Sequence, residues 1–524
     1  MKPQENFWPG VFAIVLGTFM AVLDTSIVNV AIPEMMHVFG ASTEEIQWVV
    51  TSYTLTMAAV IPLAGYLGVR YGIKKSYLVS LLLFTVGSLL CGLAWSNGSM
   101  IAARIIQAAG GGLMMTIGQS MIQLVVPQEK MGPAMGVFGI SVFVAPAVGP
   151  TLSGYFVQHL DWRLIFTVNI PFGIVAMLLV WQFLPEGEAK KDHPFDLAGF
   201  VWSAAALVSL LLAVTKGEEK GWDSFFIVSL FLTALISGTM FVARELSASH
   251  PLVDIRLLAK RDFTLGLLVN SMIMVGNFGV IYLLPIYSEN MLGKTAMDTG
   301  LMMLPQALAS GIVTPISGML AARVGLKPLI VAGLVFCLVP GFLLARVDLD
   351  TSVSTLNWLL AVRGIGLGMC LMTSMQIPLV ATGDPARVPA ASVITNISRQ
   401  VATSIGIAGL ISLFSRRSVE HAVHASEQVT ATHPPVQTAL EQWQQMYLSK
   451  GLSVQEAAAS ALQLMGQLVK KYAAIEALQD SLLVAALVLV AALLLMLVVK
   501  ENRAARQQAG ERQAQAKVQP ALME

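Results

Sequence analysis

The sequence predicts an all-α polytopic membrane protein. Of its 524 residues, 56% are hydrophobic and 12% are charged, whereas soluble domains carry roughly 25% charged residues. The apolar residues occur in runs of about 20, the length that a helix needs to span a bilayer. These runs lack the alternation of a transmembrane β-strand, and helices satisfy their backbone hydrogen bonds in lipid without a partner strand. A water-soluble enzyme is therefore excluded.

Other function classes are disfavoured by the composition. The net charge of +1 provides no basic surface for nucleic acid. The three cysteines lie inside apolar runs without CxxC spacing, so neither a disulfide framework nor a metal site is indicated. The triplet Gly110–Gly112 is not followed by the Gly-Lys-Ser/Thr of a phosphate-binding loop, which argues against an ATP-driven pump. We expect no cofactor, no metal and no enzymatic activity.

Charges, prolines and glycines divide the chain into predicted membrane spans. The N-terminus has only Lys2 before a run that continues into IVNVAIP, without a small-residue cleavage site, so it predicts a first membrane helix and not a cleaved signal peptide. A tight pair of spans is joined by the charged turn KGEEKGWD, residues 216–223. The fourteen predicted spans are 11–33, 48–69, 76–96, 100–125, 134–157, 163–184, 197–215, 222–243, 263–288, 299–322, 328–346, 354–380, 389–414 and 480–500.

The distribution of lysine and arginine predicts the orientation. Basic residues are enriched in alternate loops and in the tail 501–524, and such loops remain in the cytoplasm. Both termini are therefore expected in the cytoplasm. The basic residues on that side include Arg70, Lys74, Lys75, Lys190, Lys191, Arg256, Lys260, Arg261, Arg323 and Lys327.

On this topology the long connection 415–479 lies outside the cytoplasm. It predicts two amphipathic helices, and the second opens with the capping-box pattern Ser453-x-x-Glu456. Two interpretations stay open: the helices lie on the membrane surface, or they form a docking surface for a second protein.

An internal repeat predicts two related halves. GYLGVRYGIKK at 65–75 corresponds to GMLAARVGLK at 318–327, and RIIQAAGGG at 104–112 has an echo in RGIGLG at 363–368. Such recurrence is typical of transporters built from homologous bundles. We expect six-helix bundles at 11–184 and 263–500, with two membrane helices inserted at 197–243.

Few ionisable groups fall in the hydrocarbon region of the predicted spans, away from the span ends. They are Asp24, Arg104, Arg363 and Arg399, with Glu289 at an outer end. Charges in the membrane interior are costly and usually serve a transport pathway. Burial disfavours a charged carboxylate, whereas a nearby guanidinium favours it. If Arg104 approached Asp24 in only one conformation, proton binding would depend on conformation. The alternatives are a fixed structural ion pair and a filter for cationic substrates.

Three further groups of small and polar residues stand out. Glycines and cations at the end of the second span predict a cytoplasmic latch, or simply topology-determining charge. Prolines and glycines in the fifth span predict a kink or close helix packing. Polar residues in the thirteenth span either bond between helices or line a cavity. The three groups are Gly65, Arg70, Gly72 and Lys74; Pro146, Gly149, Pro150 and Gly154; and Asn396, Arg399 and Gln400.

These motifs together resemble the major facilitator superfamily, specifically its fourteen-helix drug:proton antiporter branch of the EmrB/QacA type. The resemblance rests on LDTSIVNVAIP (23–33), GYLGVRYGIKK (65–75), RIIQAAGGG (104–112), APAVGPTLSG (145–154) and DWRLIFTVNIPFG (161–173). It implies the major facilitator fold, with two six-helix bundles plus two inserted helices. It further implies that Asp24 and Arg104 couple protons, that Gly149 and Pro150 control leak and direction, and that Arg70 and Lys74 serve a cytoplasmic gate.

The chain also departs from the family pattern. Val69 and Ile73 replace a usual Asp and a basic residue of the loop motif, while Ala108 and Ser153 replace glycines. The segment 415–479 resembles the outer helical segment of the EmrB type. That likeness implies an inner-membrane location and, as partners, an EmrA-type periplasmic membrane fusion protein and an outer-membrane channel.

The expected function is a proton-coupled exporter of lipophilic small molecules that works by alternating access. Its substrate cavity is expected at Asn29, Gln107, Asn396, Arg399 and Gln400. One alternative is an exporter of the same fold with a dedicated cargo such as a lipid, a fatty acid or a siderophore. Another is a membrane scaffold or receptor that does not transport.

Overall fold

A computed structural model describes residues 7–127, 130–186, 189, 194–384, 387–428 and 434–499. Within these ranges the regular structure is helical, and no β-strand occurs. Short 3₁₀ and π segments lie at Ile255–Ala259 and Tyr287–Met291. The α-helices are α1 Trp8–Phe39, α2 Thr43–Val60, α3 Leu63–Tyr71, α4 Ile73–Gly92, α5 Asn97–Val125, α6 Met131–His159, α7 Leu164–Thr167, α8 Asn169–Phe183, α9 Leu197–Lys220, α10 Phe225–Ser247, α11 Arg261–Ile286, α12 Ala296–Val324, α13 Leu326–Leu344, α14 Val353–Ala381, α15 Val388–Gln428, α16 Pro434–Ser449 and α17 Val454–Val498.

The predicted all-α polytopic membrane fold is confirmed. In the described part of the chain, twelve helices are long and apolar enough to cross a bilayer. Two bent pairs bring the number to fourteen when each pair is counted as one span. One pair is α2 with α3, bent by 54°, and the other consists of the two parts of α6, bent by 44°. The first bend follows Pro62, which lacks the amide hydrogen that a continuous helix needs.

The repeated loop motif has the same backbone conformation in both copies. Gly72 has φ +85° between α3 and α4, and Gly325 has φ +94° between α12 and α13. A residue with a Cβ atom is strained at such angles. The glycine of the repeat is therefore explained by the sharp turn between consecutive helices.

The helices pack as two halves. In the first half α1 contacts α6 and α8, and α5 contacts α2 and α4; in the second half α11–α15 and α17 pack together. The halves meet along α6 and α12, and again along α5 and α15. At Gly132 on α6 a Cβ atom would overlap the carbonyl group of Gly318 on α12. The two backbones are thus in direct contact, a proximity that small residues permit between membrane helices.

The inserted pair, α9 and α10, bridges the two halves. Helix α9 packs on both α2 and α15. Lys216 Nζ donates to Gln47 Oε1 at 2.6 Å, and Trp222 Nε1 donates to Ser412 Oγ at 3.0 Å. The outer helix α10 is mostly exposed, as expected for a surface that faces lipid. The pair thus covers the gap between the halves on one side of the molecule.

The long connection 415–479 differs from the sequence-based expectation of two separate helices. Helix α15 continues through its span to Gln428, and α17 runs unbroken from Val454 to Val498. At 1.5 Å per residue, α17 is roughly 68 Å long, about twice the hydrocarbon thickness. The charges near position 480 mark the edge of the membrane but do not end the helix, since no proline interrupts residues 454–498. Both helices therefore extend from their spans as a packed projection, with α16 packed on α17.

One detail of this projection was predicted correctly from the sequence. Ser453 and Glu456 form the capping box at the start of α17, with Glu456 N donating to Ser453 Oγ at 3.4 Å and Ser453 N donating to Glu456 Oε2 at 3.0 Å. The tail 501–524 lies outside the described residues.

Close packing of α5 generates a prediction about stability. A Cβ atom on Gly110 would lie 2.5 Å from the Ser80 carbonyl oxygen and would overlap the Phe84 amide, both on α4. Because backbone cannot move aside cheaply, Gly110→Ala should cost about 1–3 kcal/mol. We expect the melting temperature of the purified protein to fall by several degrees. Gly98→Ala, in the first turn of the same helix, meets no atom within 4 Å and should melt like the wild type; equal melting of the two variants would contradict this packing.

Candidate functional site

A buried ion pair joins α1 to α5. Asp24 on α1 is 0% exposed and Arg104 on α5 is 1% exposed. Arg104 Nη1 donates directly to Asp24 Oδ2. The sequence indicates both residues but not their contact; the structure brings them together.

Gln107 completes this cluster. Its Nε2 donates to Asp24 Oδ1 at 2.8 Å and to Ser88 Oγ at 2.8 Å. Its Oε1 accepts from Arg104 Nη1 at 2.7 Å. Gln107 was expected to line a substrate cavity, whereas the structure places it fully buried beside the ion pair, where it holds both charged groups.

The guanidinium of Arg104 also contacts α2. Arg104 Nε donates to the Val49 carbonyl at 3.2 Å, and its Cζ lies 3.9 Å from the centre of the Tyr53 ring. The Tyr53 hydroxyl donates to the Ala21 carbonyl on α1 at 3.4 Å. One cluster thus connects α1, α2, α4 and α5. A proton on Asp24 would leave Arg104 without a negatively charged partner among the described residues.

The second half contains a neutral counterpart of this site. Asn277 and Gln306 follow Asp24 and Tyr53 by 253 residues, the interval that separates Gly72 from Gly325. Arg363, the counterpart of Arg104 in the second half, is 1% exposed. Its Nη2 donates to Asn277 Oδ1 at 3.1 Å and its Nη1 to Gln306 Oε1 at 3.4 Å. An amide therefore replaces the carboxylate, and this site has no carboxyl group that could titrate. Extending the repeat interval to Asp24 would have identified Asn277.

A partly open central cavity lies between the halves, and its empty space, the open part included, is about 420 Å³. Helices α5 and α6 contribute lining residues from the first half, and α11, α14 and α15 contribute from the second. Four of these residues are methionines, whose flexible side chains adapt to apolar ligands. The lining residues are Met115, Gln119, Phe138, Val142, Met274, Phe278, Leu371, Met372, Met375, Asn396 and Arg399.

Two of the residues expected in a substrate cavity, Asn396 and Arg399, line this one. Asn396 Nδ2 donates across the halves to Gln119 Oε1 at 2.7 Å. Gln119 was missed because a lone glutamine among apolar residues gives no distinctive pattern. Asn29 is exposed on α1, with its Nδ2 3.5 Å from the Thr25 carbonyl, and Gln400 is half-buried on α15. These two residues are not part of the lining.

The proline–glycine motif shapes α6 beside the ion pair. The bend in α6 lies between Pro146 and Thr151, so Pro150 lies within it. A Cβ atom on Gly149 would overlap Ser26 Oγ on α1, two residues after Asp24. Gly149 therefore allows α6 to pack directly on the helix that carries the carboxylate, whereas Gly154 has no atom within 4 Å of its Cβ position.

The proposed gate residues lie near the contact between halves. A Cβ atom on Gly65 would meet Val393 Cγ2 of α15 at 3.5 Å, while Arg70 and Lys74 are half-buried on either side of Gly72. The repeat counterpart of Lys74 is Lys327, whose Nζ donates to the carbonyls of Leu497 and Val499 at 2.8 and 2.7 Å. In the second half, the lysine of the repeated motif thus binds the C-terminal end of α17.

The ion pair predicts a non-additive effect on stability. Asp24→Asn leaves a buried guanidinium that cannot lose its charge, whereas Arg104→Gln leaves a carboxylate that can be protonated. Asp24→Asn should therefore lower the melting temperature more than Arg104→Gln, and the double variant should recover part of the loss, since removing one partner of a buried pair costs about 3–5 kcal/mol. Additive losses in a double-mutant cycle of melting temperatures would show that the two groups do not interact.

Comparison with known proteins places the chain in a family. Residues 14–407 match the family described as the Major Facilitator Superfamily. The multidrug export protein EmrB of Haemophilus influenzae is 31% identical over 442 residues, which cover 83% of this chain and 86% of the relative. The fatty acid resistance protein FarB of Neisseria gonorrhoeae is 29% identical over 417 residues, covering 79% and 82%.

A solved structure agrees at the level of the fold. The human organic anion transporter MFSD10 superposes with a TM-score of 0.60 at 14% identity, covering 93% of this chain and all of that one. The resemblance to exporters of this superfamily, inferred above from motifs, is confirmed. The chain therefore belongs to the Major Facilitator Superfamily, as a multi-pass membrane transporter and not an enzyme.

Proposed function

We propose that this transporter is a proton-coupled exporter of lipophilic small molecules. The observation that carries the proposal is the Asp24 cluster: a fully buried carboxylate whose two oxygens bind Arg104 and Gln107. It is the one acid well inside a span among the residues that the structure describes. Ionisable groups so placed are costly and usually serve an ion or substrate pathway.

The cluster links proton binding to helix packing. An ionised Asp24 holds α1 against α5 through charged hydrogen bonds, which are roughly twice as strong as neutral ones. A proton on Asp24 weakens these bonds and frees α1 to move. Because α1 packs on α6 at Gly149, and α6 packs on α12 of the second half, such a movement reaches the contact between the halves.

The central cavity supplies the cargo site in this mechanism. It is lined from both halves, so rocking of one half against the other opens it to alternate sides of the membrane. Helix α5 carries Arg104 and Gln107 as well as the cavity residue Gln119. Cargo that enters from the cytoplasm favours loss of the proton from Asp24, and a proton from outside favours release of cargo and return.

The proposal includes a location and a partner. We place the protein in the inner membrane with both termini in the cytoplasm, because the basic residues are concentrated in the loops of one side. The projection formed by α15, α16 and α17 then extends away from the cytoplasm. It offers a docking surface for an EmrA-type membrane fusion protein that leads to an outer-membrane channel.

Export of a dedicated cargo is the second candidate. It is favoured by the similarity to FarB, whose name records resistance to fatty acids. This candidate uses the same fold and the same proton site, and differs in the range of compounds that the central cavity accepts.

Accumulation of labelled compounds in inside-out vesicles tests the proposal. The probes are dodecanesulfonate, dodecyltrimethylammonium and dodecanol, which share one tail and differ in head-group charge. We expect at least one probe to accumulate in wild-type vesicles when the lumen is acid, and to be lost when a protonophore collapses the gradient. Asp24→Asn should reduce accumulation to the level of vesicles without the protein, because its side chain cannot take up a proton.

Two control variants sharpen this test. Asp24→Glu keeps a titratable group and should retain part of the accumulation, while Asp350→Asn, at an exposed loop position, should behave like the wild type. Gradient-driven accumulation by Asp24→Asn at the wild-type rate would contradict the assignment of Asp24. The absence of accumulation of every probe by well-expressed wild type would contradict the export of varied lipophilic compounds.

A further inference from the structure

The central cavity combines an apolar wall with three polar side chains. Methionines, phenylalanines and aliphatic residues form most of its surface. The polar lining residues are Gln119, Asn396 and Arg399. A ligand held here therefore needs an apolar body and a head group that suits these three side chains.

Among these three residues, the buried polar atoms without any hydrogen-bond partner are donors. Gln119 is 1% exposed, and its Nε2 has no hydrogen-bond partner; the same is true of Arg399 Nε. The amide oxygens, by contrast, each have a partner: Gln119 Oε1 accepts from Asn396, and Asn396 Oδ1 accepts from Arg399 Nη2 at 3.4 Å. Buried donors without partners are costly, and a ligand that supplies acceptor oxygens would satisfy them.

The charge around the cavity also favours a ligand with acceptor oxygens and a negative charge. Among the described residues no carboxylate forms an ion pair with Arg399. Near the middle of the described spans, away from their ends, the guanidinium groups of Arg104, Arg363 and Arg399 are accompanied by one carboxylate, that of Asp24. An anion in the cavity would offset this excess of positive charge, whereas a cation would add to it.

Asp24 does not provide a competing site for cations. Its side chain is fully buried, and both carboxylate oxygens already accept from Arg104 and Gln107. It is not among the residues that line the cavity. A lipophilic cation in the cavity would therefore face Arg399 without a carboxylate at its side.

We propose that the central cavity binds amphipathic anions, with a carboxylate or sulfonate head on Arg399 and Gln119 and an apolar tail among the methionines. This inference rests on the exporter function proposed above and narrows its cargo to lipophilic anions. Asn396 is a positioning residue, because it holds Gln119 and Arg399 through their side chains.

Equilibrium binding to the full chain in lipid nanodiscs tests the inference. The probes are labelled dodecanesulfonate and dodecyltrimethylammonium, whose head groups keep their charge at every pH. We expect the wild type to bind the sulfonate about tenfold or more tightly than the ammonium. Arg399→Gln should weaken binding of the sulfonate by about tenfold or more, since hydrogen bonds to charged groups are among the strongest, and should leave binding of the ammonium unchanged or stronger.

Three further variants separate a binding role from a structural one. Arg399→Lys retains the charge and should keep most of the affinity for the sulfonate. Gln119→Met removes one donor and should weaken the sulfonate by a smaller factor than Arg399→Gln. Arg416→Gln, an exposed arginine on the same helix, should change nothing. If Arg399→Gln fails to fold, the preference of the wild type and the affinity of Arg399→Lys still decide the question.

The inference and the exporter function can fail separately. Tighter binding of the ammonium by the wild type, or unchanged sulfonate binding by Arg399→Gln, overturns the anion site. If the ammonium then accumulates in vesicles in an Asp24-dependent way, the exporter function stands without the anion site. If the sulfonate binds through Arg399 but no probe accumulates, the site stands and the exporter function falls.

Discussion

The structure depends on how one carboxylate is accommodated inside a membrane. An isolated charge in hydrocarbon costs several kcal/mol, and Asp24 avoids this cost only through Arg104 and Gln107. Satisfying these groups requires α1, α2, α4 and α5 to meet at one point, which fixes the arrangement of the first half. A proton would also neutralise the carboxylate of Asp24. The four helices would then no longer need to meet around it to compensate its charge. In the proposed mechanism, the same interaction gives both stability and the means to change conformation.

The two halves share a fold, but only the first half has a carboxylate paired with its buried arginine. In the second half Arg363 binds the amides Asn277 and Gln306, so its site keeps one charge state. The cavity between the halves is lined by both. The first half therefore has a carboxylate beside its buried arginine, whereas the second half has only amides. Helix α5 connects the ion pair to the cavity, because its side chains reach both. Its glycines Gly110–Gly112 pack it closely against α4 and α2.

The sequence predicted the polytopic helical fold because lipid imposes a simple pattern of length and polarity on each spanning helix. It predicted the pairing of Asp24 with Arg104 only through scarcity of charge and family resemblance, since α1 and α5 are distant in the chain. The unbroken α17 was missed because polarity marks where a helix leaves the membrane and not where it ends. Gln107 and Gln119 lie on one helix at positions that composition cannot distinguish, yet tertiary packing places them at different sites.

The central claim is that Asp24 changes protonation state in the folded transporter. Infrared difference spectroscopy during pH changes tests it directly, because a protonated carboxyl group absorbs apart from a carboxylate. The account predicts a carboxylic acid band that appears as the wild type in lipid is acidified and that is missing from Asp24→Asn. Identical difference spectra for the two proteins, over the pH range in which both remain folded, would show that Asp24 and Arg104 form a fixed structural pair and would contradict the account.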